Sequence, residues 1–182
     1  MSVRFRPENA VLIDIIPFFD SKKDEYHLFY LKGNIGEDFG WPRWQTPWGH
    51  IVSKDLINWS ELPDALTRSV RTEPDGGACF TGSVIEREGT YHIYYVGFNP
   101  GHPGGREQIM HAISSDGINF VRDNNYPVIT PDNKHYIFGD DWRDPFVFWN
   151  EDEQLYCMTI TANLPDPICK TRKGVIGIAK SK

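Results

Sequence analysis

Long apolar runs are missing from this sequence. No segment approaches the roughly 18 apolar residues that a membrane-spanning helix needs. The opening MSVRFRPENAVLIDIIPFFD is broken by Asp14 and Pro17 and lacks a small-residue cleavage site. A soluble, cytoplasmic protein is expected, with secretion left open. Cysteine is scarce: Cys79, Cys157 and Cys169 are an odd set without short paired spacing, which argues against a disulfide framework or a zinc site. Buried thiols are the reading. Basic clusters are also lacking, and 19 Lys and Arg against 25 Asp and Glu leave a formal charge of −6. Neither nucleic acid nor an anionic membrane is an expected partner. No His/Asp/Glu set has metal-ligand spacing. The Gly-rich segment NPGHPGGREQ (Asn99 to Gln108) lacks the lysine and the strand-to-helix setting of a phosphate loop, and reads as a mobile connection. Ser53, Ser83 and Ser114 sit in no nucleophile elbow. No metal and no cofactor are expected.

Aromatic residues, in contrast, are abundant at 14%, with six Trp, eight Tyr and eleven Phe. They recur in a repeat. DEYHLFYLKG (Asp24 to Gly33), GTYHIYYVGF (Gly89 to Phe98) and DEQLYCMTITA (Asp152 to Ala162) read as alternating strands, and Tyr26 and His27 match Tyr91 and His92. A second motif follows each: HIVSKDLINW (His50 to Trp59), HAISSDGINF (His111 to Phe120) and GIAKSK at the end. Ser53, Ser114 and Ser181 fall 61 and then 67 residues apart. Such a period suits a four-stranded propeller blade. Turn signals precede Tyr26, Tyr91 and Tyr126, and long amphipathic helices are absent. The expectation is an all-β chain of three blades, roughly residues 8–66, 67–130 and 131–182, ending within the third. An open wedge of this kind would present two uncovered faces and self-associate.

Two carboxylates stand out on chemical grounds. Asp14 lies in VLIDIIPFF, where a lone carboxylate costs several kcal/mol unless it is paired or used. The alternative is a strand-edge Asp satisfied by backbone amides. Asp144 follows Arg143 in Trp-Arg-Asp-Pro, and an Asp beside a guanidinium stays ionised and can accept two hydroxyls. Asp140 and Asp141 read as turn residues. Trp41, Trp44 and Trp48 occupy GWPRWQTPWGH, a Pro/Gly-rich loop whose rings could face a sugar. For Trp48 and His50, core packing and ligand contact stand level. Trp59, Trp142 and Trp149 read as blade core.

Three strings resemble glycoside hydrolase family 32, the β-fructosidases: WGHIVSKDLINWSELPDAL (Trp48 to Leu66), CFTGSVIEREGTYHIYYVG (Cys79 to Gly97) and DWRDPFVFW (Asp141 to Trp149). The resemblance implies a five-bladed β-propeller glycosidase acting on fructosyl substrates such as sucrose, inulin or levan with retention. It makes Asp14 the nucleophile and Asp144 the transition-state stabiliser, oriented by Arg143. It places Trp41, Trp44, Trp48, His50, Phe80 and Thr81 as substrate-binding candidates, with carbohydrate as partner. Around Asp14 the usual Asn-containing surroundings are replaced by Leu-Ile-Asp-Ile-Ile-Pro. The family's acid, a Glu in a Glu-Cys-Pro motif, is expected beyond Lys182, so this length of chain is expected to be inactive. Two alternatives stay open: an inverting arabinanase- or xylosidase-like glycosidase, and a non-catalytic carbohydrate-binding propeller.

Overall fold

The computed structural model describes residues 5–34, 46–138, 141–165 and 174–182. Every regular element among them is a strand. The first sheet contains β1 (Ala10–Asp20), β2 (Glu25–Asn34), β3 (Trp48–Ser53) and β4 (Ser60–Leu66), side by side in that order. The second repeats the pattern with β5 (Ala78–Arg87), β6 (Thr90–Phe98), β7 (Glu107–Ser114) and β8 (Val121–Arg122). The third holds β9 (Trp142–Asn150), β10 (Leu155–Asn163) and β11 (Gly174–Ser181). All pairings are antiparallel. No helix among the described residues is long and apolar enough to cross a membrane.

The sequence repeat has a local cause. Ser53 and Asp55 close the turn after β3, with Asp55 Oδ1 accepting the amides of Ile57 and Asn58 at 2.9 and 2.7 Å. Ser114 and Asp116 build the same turn after β7, where Ile118 and Asn119 amides donate to Asp116 at 2.8 Å each. These donors hold both carboxyls well below the usual range. The third turn signal behaves differently. Tyr126 N–H donates to Asp123 O, but no named strand follows, only a bridge between Ile129 and Ile109. Tyr126 is instead held by ring packing on His111 and Tyr94.

The second sheet is packed on both faces. Val84, Ile93 and Tyr95 join Ile16, Phe29 and Trp48 of the first sheet in one core cluster. Ile85, Tyr94 and Ile109 face Trp142, Val147, Met158 and Ile160 of the third. Alternation along β5 and β6 sends neighbouring side chains to opposite faces, which explains why these strands read as nearly continuous apolar runs. The edge strands β1, β5 and β9 lie against one another, β5 in the middle. Being edges, they tolerate Pro17 and Pro145, which could not serve a central ladder. At the far ends of the first two sheets, Tyr91 Oη donates to buried Asp20 and Lys22 pairs with Glu86. Cys79 and Cys157 are buried free thiols; Cys169 lies outside the described residues.

Matched histidines of the repeat face each other. His27 Nδ1 lies 2.8 Å from His50 Nε2, and His92 Nδ1 lies 3.0 Å from His111 Nε2. Each contact needs one donor and one acceptor nitrogen, so the accepting ring must be neutral and the two rings of a pair cannot both be protonated. Burial, reinforced by the partner ring, depresses His50 to about 3 and His111 to about 4. The unfolded chain would take up protons near pH 6.5 that the folded chain refuses. Stability should therefore be complete above pH 6.5 and fall by up to about 1.4 kcal/mol per pH unit for each such histidine between pH 6.5 and 4.5. Urea unfolding across that range measures it, and His111→Gln should flatten the slope. A flat profile in the parent protein would contradict the buried pairs.

Candidate active site

Each of the three adjacent edge strands carries one irregularity, and each falls at a corresponding place. In β1, Ile13 pairs Leu31 and Ile15 pairs Tyr30, leaving Asp14 as the extra residue. In β5, Phe80 pairs Val96 and Gly82 pairs Tyr95, leaving Thr81. In β9, Arg143 pairs Thr161 and Phe146 pairs Thr159, so that Asp144 and Pro145 share the space opposite Ile160. A bulge re-aims the side chain of its extra residue. Asp14 and Asp144 adopt left-handed backbone, with φ of 29° and 57°. For residues other than glycine this is strained, and strain of this kind collects at functional positions.

Two of the re-aimed side chains meet. Thr81 Oγ1 donates to Asp14 Oδ2 at 2.6 Å, across the boundary between first and second sheets. Thr161 Oγ1 donates to Asp144 Oδ2 at 3.3 Å. Both carboxylates are solvent-accessible. Burial raises the Asp144 carboxyl above its ordinary value; Arg143 and Thr161 oppose the rise, while Asp14 and Asp141 add to it. Asp14 and Asp144 thus stand within electrostatic reach of each other.

Behind Asp144 lies a charge network that sequence reading missed. Arg143 gives Nη1 to Asp141 at 2.7 Å, lies 3.5 Å from Glu107, and holds its Nε 3.6 Å from Asp144. Burial works against its charge, but Glu107, Asp141 and Asp144 outweigh it and raise its pKa. Asp141 also accepts from Arg106 at 3.3 Å and Asn163 at 3.2 Å. It is a hub for Arg143, not the free turn residue expected. Glu107, 5% exposed, reaches from β7 to accept the Trp142 amide at 3.0 Å and so ties the start of β9 to the second sheet. Asp141 and Arg143 share one side of an extended segment, a period-two signal that could have been read. Glu107 carried no comparable signal.

The remaining candidates divide. Phe80 is partly exposed beside Thr81, stacked on Phe98 at 4.5 Å. Trp48 is fully buried and donates its indole N–H to Phe80 O at 3.0 Å, and His50 is 1% exposed against His27 and Phe29. Both belong to the core, so direct ligand contact is excluded by burial. Trp41, Trp44 and Asp140 lie outside the described residues. Trp142 is core, whereas Trp149 is 39% exposed on the outer run of β9.

Comparison with known proteins adds independent findings. The family model for the glycosyl hydrolases family 32 N-terminal domain matches residues 5–169. The chain is 30% identical to a sucrose-6-phosphate hydrolase of Escherichia coli over 133 residues, covering 69% of this chain and 26% of that protein. It is 30% identical to a levanase of Bacillus subtilis over 146 residues, covering 76% of this chain and 20% of that one. The fold is like that of fructan 1-exohydrolase IIa from Cichorium intybus, with a TM-score of 0.72, 22% identity, and coverage of 97% of this chain and 31% of the other. The chain thus spans about a quarter or less of the length of these two curated relatives.

Asp144 offers a direct check of this geometry. Its raised carboxyl means that the folded chain retains a proton where the unfolded chain, near 3.8, has lost it. Stability contributed by this group is therefore lost as pH rises through that window. Asp144→Asn should melt higher than the parent at pH 7, and the gap should close near pH 3. A lower melting temperature for the variant at pH 7 would contradict a desolvated, crowded carboxylate.

Proposed function

The chain belongs to glycosyl hydrolase family 32, and from that premise we propose that it forms three blades of a five-bladed β-propeller that hydrolyses fructosyl glycosides. Sucrose-type disaccharides and fructans such as inulin and levan are the substrate class. The observation that carries the reading is the hydrogen bond from Thr81 to Asp14 beside the Asp144 carboxylate. It leaves Asp14 with one oxygen fixed and the other available, as a positioned nucleophile requires.

In this reading Asp14 attacks the anomeric carbon of the fructosyl unit as the bond to the leaving oxygen breaks. A third group protonates that oxygen, since Glu107 and Asp141 are both engaged by arginines. Water then cleaves the fructosyl ester and regenerates Asp14, giving retention. Asp144 accepts ring hydroxyls and faces the positive charge that develops on the sugar. Its charge is partly desolvated, so the oxocarbenium-like transition state relieves a cost already present in the free protein. Arg143, fixed by Asp141 and Glu107, keeps Asp144 ionised without neutralising it through a short bidentate pair.

An activated fructoside isolates the nucleophile, because a nitrophenolate leaving group needs no proton. The protein should release nitrophenolate from 4-nitrophenyl β-fructofuranoside and accumulate a fructosyl ester on the peptide containing Asp14, detectable by mass spectrometry. Asp14→Asn should reduce release by roughly 10³-fold or more. Release by the parent without an Asp14 ester, or unchanged release by the variant, would refute the role.

A further inference from the structure

Glu107 divides its two carboxylate oxygens between two tasks. It is the first residue of β7, and its buried side chain crosses from the second sheet to the start of β9. Oε2 accepts the Trp142 amide at 3.0 Å, a backbone contact that an uncharged amide oxygen could serve equally well. Among the described residues, Oε1 faces two guanidiniums, with Arg143 Nη1 at 3.5 Å and Arg106 Nε at 3.7 Å. These distances are too long for charge-assisted hydrogen bonds, so Oε1 acts through its charge. Buried as it is, that charge is weakly screened.

The charge matters because of what Arg143 does not do. A guanidinium beside a carboxylate closes to about 2.7–2.9 Å, often through two parallel hydrogen bonds. Arg143 and Asp144 are chain neighbours, yet Arg143 Nε stays 3.6 Å from Asp144 Oδ2. The guanidinium is drawn away at Nη1, which lies 2.7 Å from Asp141 Oδ1 and 3.5 Å from Glu107 Oε1. Asp141 is a divided anchor, because the same Oδ1 also accepts Arg106 Nη2 at 3.3 Å. Charge balance points the same way. Among the described residues, two guanidiniums, Arg106 and Arg143, face three carboxylates, Glu107, Asp141 and Asp144. Without the Glu107 charge the set is balanced, and Arg143 can close on Asp144. As it stands, Asp144 Oδ2 accepts Thr161 at 3.3 Å, and Oδ1 has no hydrogen bond among the described residues.

We propose that Glu107 is a positioning residue for the reaction: its buried charge keeps Arg143 from closing on Asp144, and so leaves Asp144 the lone pairs and the negative charge that a fructosyl group would meet. The catalytic half of the proposal rests on the fructosyl-hydrolase reading. Glu107→Gln separates charge from structure, because the amide oxygen keeps the Trp142 contact. The variant should fold, and its release of nitrophenolate from 4-nitrophenyl β-fructofuranoside should fall roughly 10–10²-fold. Carbon NMR should find its Asp144 carboxyl titrating at lower pH than in the parent, since a closer guanidinium favours the ionised form. In an Arg143→Gln background the same substitution should move that midpoint by clearly less. An unchanged midpoint, or an equal shift with and without Arg143, would overturn the proposal, the second by reducing Glu107 to a bystander charge. Loss of the fold in Glu107→Gln would overturn it too, because the fold asks only the amide contact of this side chain. No release by the parent protein would end the fructosyl-hydrolase reading, while the titrations would still decide whether Glu107 governs Asp144 through Arg143.

Discussion

One extra residue in the first strand of each sheet is the constraint on which this site depends. A regular strand would send Asp14, Thr81 and Asp144 to positions set by strict alternation, between core and neighbour. The bulge breaks the alternation at one place and turns a polar side chain out of the packed layer, at Asp14 and Asp144 through strained left-handed backbone. Because β1, β5 and β9 lie side by side, the three departures converge. The apolar residues on either side, such as Ile13 and Ile16, stay with the core and hold the strand while Asp14 leaves it.

Charge balance does the next part of the work. Arg106 and Arg143 are shared among Glu107, Asp141 and Asp144, and the two buried or nearly buried carboxylates take the closer contacts. Asp144 is left with the longest of the Arg143 contacts and with Asp14 as a like-charged neighbour. The site therefore holds negative charge that is not fully compensated inside the protein. A cationic transition state would complete it. The cost falls on stability, and the core between the sheets offsets it.

Much of the architecture could be read from the repeat, because the Ser-x-Asp turn and the aromatic strand each have a fixed local cause. The positions of Asp14 and Asp144 were legible as carboxylates in apolar or Arg-Asp-Pro settings. Trp48 and His50 were not separable from ligand-facing rings, since burial between two sheets is a tertiary fact. Glu107 was invisible for the same reason: its partners, Trp142 and Arg143, come from another sheet. The repeat matches His27 with His92, and only the fold pairs them with His50 and His111.

The central claim is that Asp14 and Asp144, 130 positions apart in the chain, act on each other across the meeting point of the strands. Carbon NMR titration of the Asp144 carboxyl, in the parent protein and in Asp14→Asn, measures that interaction alone. The account predicts that removing the Asp14 charge lowers the Asp144 titration midpoint. An unchanged midpoint would mean that the two carboxylates do not share a site, and the proposed mechanism would have no centre.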